Sequence, residues 1–125
     1  MDRISTIKEN SPAYPVHPVK NFLEKLMNFE EYQSEASQTA LYPRRMENLE
    51  YPTLGLAGEA GEVANIVKKI QRDHGGVITE ETRGKLRDEL GDVLWYISAC
   101  ADELGLTLDE IAAFNVNKLA KRHGR

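Results

Sequence analysis

A chain of 125 residues with 41% hydrophobic and 29% charged side chains is long enough for one domain with a modest core. Its 16 Lys and Arg against 20 Asp and Glu leave a net charge of −4, which excludes a broad basic surface for duplex nucleic acid and leaves room only for a local basic patch. A single cysteine, Cys100, excludes an intrachain disulfide and a cysteine-based zinc cluster; its place in an apolar helical run marks a core residue rather than a nucleophile. No apolar run opens the chain and none approaches the length of a membrane span, so the expectation is a soluble, cytoplasmic protein without membrane or nucleic-acid polymer partners.

Residues 1–18 read as an arm, because Pro12, Pro15 and Pro18 forbid helix interior and bias their predecessors toward extended backbone. The domain proper then covers residues 19–125, with room for a short helix over 19–27. Asn28, followed by Glu31 three residues on, is a capping signal for a helix running through Tyr32, Gln33, Ala36 and Thr39 to about Leu41. That helix is amphipathic, and Tyr32 and Gln33 are candidates for one wall of a ligand pocket. Pro43 and Pro52 make residues 42–53 a loop, in which Arg44 and Arg45 are expected as a solvated charge pair.

The second helix is expected from Thr53 or Leu54 to Gln71, with Leu56, Val63, Ile66, Val67 and Ile70 on one stripe. At about 100° per residue, Glu59 falls inside that stripe, Glu62 at its margin and Lys69 near the edge of Glu62. Three glycines, Gly55, Gly58 and Gly61, each cost about 1 kcal/mol against alanine in a helix, which points to close approach of a neighbouring helix or a ligand. His74-Gly-Gly76 ends this helix, and Thr79 caps a third from Glu80 to Glu103. Its apolar face holds Leu86, Leu90, Val93, Leu94, Ile97, Cys100, Ala101 and Leu104, flanked by Glu89, Asp92 and Tyr96. Trp95 lies roughly opposite that face, where an interface or a neighbouring-helix contact is expected. Gly105 stops the helix, and Thr107 with Glu110 caps a last one that ends in Lys118, Lys121 and Arg122. No strand signal of useful strength intervenes. The reading is all-α.

Acids at i and i+3 share a helical face. Glu59 and Glu62 on one helix, and Glu89 and Asp92 on the next, can therefore offer four carboxylates to a hard cation. Such a set beside apolar residues is costly unless a cation compensates it. Without Cys ligands or an acid-x-x-His spacing, zinc and di-iron are disfavoured, and magnesium or manganese fits. The competing reading is a set of salt-bridged acids, with Lys85 pairing to Glu89 one turn away.

These residues carry a resemblance. Glu59-Ala-Gly-Glu62 followed by Glu89-Leu-Gly-Asp92 resembles the signature of MazG-like nucleotide pyrophosphohydrolases, supported by Tyr32-Gln33, residues 55–69, Asp92-Val-Leu-Trp-Tyr96 and residues 115–122. The resemblance implies an all-α bundle whose four-helix core is completed by dimerisation, as a homodimer or a dimer of dimers. It implies magnesium-dependent hydrolysis of a nucleoside triphosphate between the α and β phosphates. Glu59, Glu62, Glu89 and Asp92 would then be catalytic metal ligands. Tyr96, Asn117, Lys118, Arg122, Lys69, Tyr32 and Gln33 would be substrate-binding candidates. A phosphoribosyl-ATP pyrophosphohydrolase and a non-catalytic helical interaction module are the alternatives.

Overall fold

A computed structural model of the chain describes residues 26–124, so the arm over 1–18 and the short helix over 19–27 lie, wholly or mostly, outside the described residues. Every regular element among those residues is an α-helix: α1 (Phe29–Ser37), α2 (Glu50–His74), α3 (Glu80–Glu103) and α4 (Leu108–Arg122). The fold is all-α. The long helices α2 and α3 form the central pair, and α1 packs against α3 and α4.

Three of the helix starts are capped as elementary donor satisfaction requires. Asn28 with Glu31, Thr79 with Thr82 and Thr107 with Glu110 each form a reciprocal capping box, worth about 1 kcal/mol apiece. Helix α1 stops at Ser37 rather than Leu41. Gln38, Thr39 and Ala40 donate to carbonyls three residues back, so the chain tightens and turns Ala40 and Tyr42 inward. Helix α2 begins at Glu50, so Tyr51, Pro52 and Thr53 are helical and not loop. Proline is tolerated there because first-turn amides have no intrahelical partner. At its far end α2 reaches His74, and Gly75 takes the left-handed conformation that closes it.

The buried core is small. Ala40, Tyr42 and Ala99 form its centre, with Trp95 packed against them and donating from Nε1 to Thr39 Oγ1 at 2.8 Å. Trp95, expected opposite the core face, instead packs on this core, because the segment after α1 folds across that side of α3. Leu90 and Leu104, counted above on the apolar face of the third helix, are exposed.

Residues 38–49 are fastened to the C-terminal end of α3. Glu103 accepts from the Tyr42 hydroxyl, from Met46 N and from Asn48 N. The same loop holds Arg44 and Met46 at φ 53° and 75°, conformations that side-chain-bearing residues adopt only when their surroundings require it. Arg45 is not a solvated cation: it pairs with Asp102 at 2.8 Å, because the loop is drawn onto the α3 end. Burial alone would raise the Glu103 carboxyl, but hydrogen bonds from Tyr42, Asn48 and Met46 outweigh it and hold the group below its ordinary value. Burial and Glu103 push the Tyr42 phenol from 10 up to about 12.

Two outcomes are expected. Glu103→Ala lowers stability by about 1–2 kcal/mol, less than three separate bonds to a carboxylate would sum to because the group keeps solvent contact; a chemical denaturation curve measures it. A phenol with a raised folded pKa stabilises the fold fully below its unfolded value and loses that contribution on ionising. Wild-type stability therefore falls as pH rises from 10 to about 12, and the Tyr42 share of that fall shrinks in Glu103→Ala to the part that burial alone causes.

Candidate active site

Helix α2 carries Tyr51, Gly55, Glu59 and Glu62 at spacings of four, four and three, one face of the helix. Helix α3 carries Glu89, Asp92 and Tyr96 in the same manner. The two run antiparallel: Thr53 lies by Cys100, Gly55 by Tyr96, and Glu59 by Glu89 and Asp92. One carboxylate oxygen from each of Glu59, Glu89 and Asp92 lies within 4.8 Å of the others. Glu59 and Glu89 are half-buried, while Asp92 is exposed.

Glu62 stands apart from this trio. It lines an open groove of about 510 Å³ along α2 with Gly58, Gly61, Ala64, Asn65 and Lys68. Its charge still reaches Glu89, whose carboxyl is pushed above its ordinary value first by desolvation, then by Glu59, Asp92 and Glu62. Among the described residues the ion pairs are Arg45–Asp102, Arg72–Asp73, Arg83–Glu80 and Arg87–Asp88. None contains one of the four acids, and Lys85 does not form the pair with Glu89. The salt-bridged alternative has no support in this geometry.

The donor set fits a hard divalent cation. It is made only of carboxylate oxygens, the type magnesium, manganese and calcium take. Ligands on opposite sides of an octahedral magnesium are about 4.2 Å apart, comparable to the spread of the three oxygens. Glu59, Glu89 and Asp92 would hold the cation, and Glu62 is one turn from Glu59 on the same helix.

Tyr96 lies across the backbone of Gly55. A Cβ built on Gly55 would come within 2.1 Å of Tyr96 Cε1, 2.4 Å of Cζ and 2.5 Å of Cδ1. The absence of a side chain at Gly55 is therefore what seats the ring. Trp95 braces Tyr96 edge-on, with ring centroids 4.9 Å apart at 84°. Burial raises the Tyr96 phenol, followed by Tyr51, Glu59 and Asp92, so the ring lies within electrostatic reach of the acids. No helix of this chain approaches Gly58 or Gly61 as α3 approaches Gly55. Nothing lies within 4 Å of a Cβ at either, because both face the open groove.

The other sequence candidates scatter. Tyr32 is half-buried: burial raises its phenol and the charge of Asp92 adds to the shift. Gln33 turns away, donating from Nε2 to Asp102 Oδ1 at 2.8 Å and to Leu106 O at 3.0 Å, and accepting from Leu108 N at 2.9 Å. Its whole amide is engaged in tying α1 to the α3–α4 turn. Lys69 is exposed two turns beyond Glu62. Asn117, Lys118 and Arg122 are exposed on the outer half of α4, a helix whose main packing partner is α1. The residue the sequence reading passed over is Tyr51, placed in a loop because of Pro52; its spacing from Gly55 and Glu59 was the available signal.

The MazG nucleotide pyrophosphohydrolase domain family matches residues 48–125, which begins just before α2 and includes all four acids. The chain is also similar to the Gene 37 protein of Mycobacterium phage L5, at 49% identity over 104 residues, spanning 79% of this chain and 91% of the phage protein. No solved structure matches it significantly. With the acids of α2 and α3 converging as they do, and more than half of the sequence covered, the chain belongs to the MazG nucleotide pyrophosphohydrolase family.

Proposed function

We propose that the protein is a magnesium-dependent nucleoside triphosphate pyrophosphohydrolase, cleaving ribo- or deoxyribonucleoside triphosphates between the α and β phosphates to the monophosphate and pyrophosphate. The observation that carries this reading is the convergence of Glu59, Glu89 and Asp92 within 4.8 Å without a cationic partner among the described residues. A divalent cation bound there supplies charge neutralisation at the phosphates and lowers the pKa of a bound water. The chain's own residues do the rest. The carboxylates orient the attacking water and accept its proton, with Tyr96 and Tyr32 within electrostatic reach of Asp92. Manganese is expected to substitute, since the ligands are all oxygen.

The reading includes a homo-oligomer. Large apolar side chains of the central pair stand out from the single chain, with Leu54 on α2 72% and Leu90 on α3 55% exposed. Faces of this kind on a small protein are usually covered by a partner. A second copy would also complete a four-helix core around α2 and α3. No described helix is long and apolar enough to cross a membrane, which is compatible with the proposed cytoplasmic location.

The test is pyrophosphate release with magnesium across the canonical ribo- and deoxyribonucleoside triphosphates, several damaged ones and phosphoribosyl-ATP. Release from at least one nucleoside triphosphate is expected. Release from phosphoribosyl-ATP alone would move the assignment to that enzyme, and release from none would remove the catalytic reading. Light scattering on the same sample is expected to give at least twice the 14.1 kDa chain mass.

A further inference from the structure

The face that carries the acids continues past Gly55 to Tyr51, and the surroundings of Tyr51 suit a planar ligand. Tyr51 stacks on Tyr42 with ring centroids 4.8 Å apart at 12°. Tyr42 is buried and held by Glu103, so it fixes the inner face of Tyr51. The backbone is fixed as well: Tyr51 N donates to Asn48 Oδ1 at 3.1 Å, and Asn48 is itself buried and bonded to Pro43 O and Glu103. Despite this anchoring, Tyr51 remains 43% exposed. An aromatic ring backed by a second ring and still this accessible to solvent can serve as a stacking platform, and base–aromatic stacking accepts any nucleobase.

Its position is also suitable. Tyr51 and Glu59 are eight residues apart on one helix face, about 12 Å along the axis, a span an extended nucleotide covers between its base and its outer phosphates. Between them lies Tyr96, seated on Gly55 and reaching toward both Tyr51 and the acids. We propose that Tyr51 is the nucleobase-stacking residue of this site, binding the base while Glu59, Glu89 and Asp92 serve the phosphates. This rests on the nucleotide-hydrolase reading above and adds to it the residue that holds the base.

The experiment separates the two claims by using products rather than turnover. Calorimetric titration with AMP, and separately with inorganic pyrophosphate, is run with magnesium on wild type, Tyr51→Ala, Tyr51→Leu and Tyr51→Phe. Loss of one stacking contact weakens AMP binding by about fivefold to a hundredfold in the Ala and Leu variants. Tyr51→Phe keeps AMP binding near wild type, and pyrophosphate binding is unchanged in all variants. In turnover the same substitutions raise KM with kcat held within a fewfold, as expected for lost uniform binding. Equal weakening of AMP and pyrophosphate would show a merely structural role and overturn the proposal. So would unchanged AMP binding in Tyr51→Ala, or no AMP binding by the wild-type chain. If wild type binds AMP in a Tyr51-dependent manner but releases no pyrophosphate from any triphosphate, the proposed reaction fails and the base platform stands.

Discussion

Asp92→Ala and Glu59→Ala are each expected to abolish the proposed magnesium-dependent pyrophosphate release while the helical circular dichroism is retained. The two residues come from different helices and contribute oxygens to one cluster within 4.8 Å, so each removes a ligand rather than a helix contact. Charge stabilisation of several kcal/mol is at stake at such a site. At 1.36 kcal/mol per tenfold, the fall is at least about a thousandfold. Stability moves the other way. The raised Glu89 carboxyl, caused by desolvation and then by Glu59, Asp92 and Glu62, means that ionising Glu89 beside its acidic neighbours opposes folding when no cation is bound. A group with a raised folded pKa favours the fold below its unfolded value and loses that contribution as pH rises. Metal-free Asp92→Ala is therefore at least as thermally stable as wild type at pH 8, and its advantage shrinks as pH falls into the carboxylate range. A metal-free variant clearly less stable than wild type would show that these acids are held by partners and are not awaiting a cation. Persistence of activity in both variants would remove the four acids from the mechanism.

Gly55→Ala is expected to lower both stability and activity, whereas Gly58→Ala, one turn along the same helix, is expected to raise stability. Alanine is favoured over glycine in a helix by about 1 kcal/mol, and that gain is available at Gly58, where a Cβ meets nothing within 4 Å. At Gly55 the new carbon would sit 2.1 Å from the Tyr96 ring, and the three close atoms belong to a planar ring braced by Trp95. Such overpacking costs about 1–3 kcal/mol, so the net change is a loss. The displaced ring also carries its hydroxyl away from Glu59 and Asp92. A misplacement of about 1 Å near reacting groups costs roughly a hundredfold in rate. Thermal melts and pyrophosphate release on the two variants make the comparison. Equal stabilisation by both, with full activity, would mean that Tyr96 has another place to go and that Gly55 is not its seat.

Much of this protein was legible from local chemistry. Helix starts at Asn28, Thr79 and Thr107 are encoded by side chains that reach their own backbone amides, an interaction spanning three residues. The pairing of acids at i and i+3 is likewise a property of one helix, and it pointed to Glu59, Glu62, Glu89 and Asp92 before any packing was known. The start of α2 was misplaced because Pro52 reads as a breaker, although a first-turn proline loses no hydrogen bond. That error hid Tyr51.

What local sequence could not decide were relations between helices. The three glycines of α2 are equivalent in composition, yet only Gly55 faces a ring on α3. Gln33 and Tyr32 are neighbours, but their side chains have different surroundings, one tied to Asp102 and Leu106, the other within electrostatic reach of Asp92. Likewise Arg45 becomes the partner of Asp102 only because the loop folds back on α3. By itself the sequence determined an all-α chain with two acid pairs at the right spacing for a cation. Tertiary structure alone decided which three carboxylates meet and which glycine receives Tyr96. Periodicity states which face a residue occupies, whereas the axial register of two packed helices is set by side chains far apart in the chain.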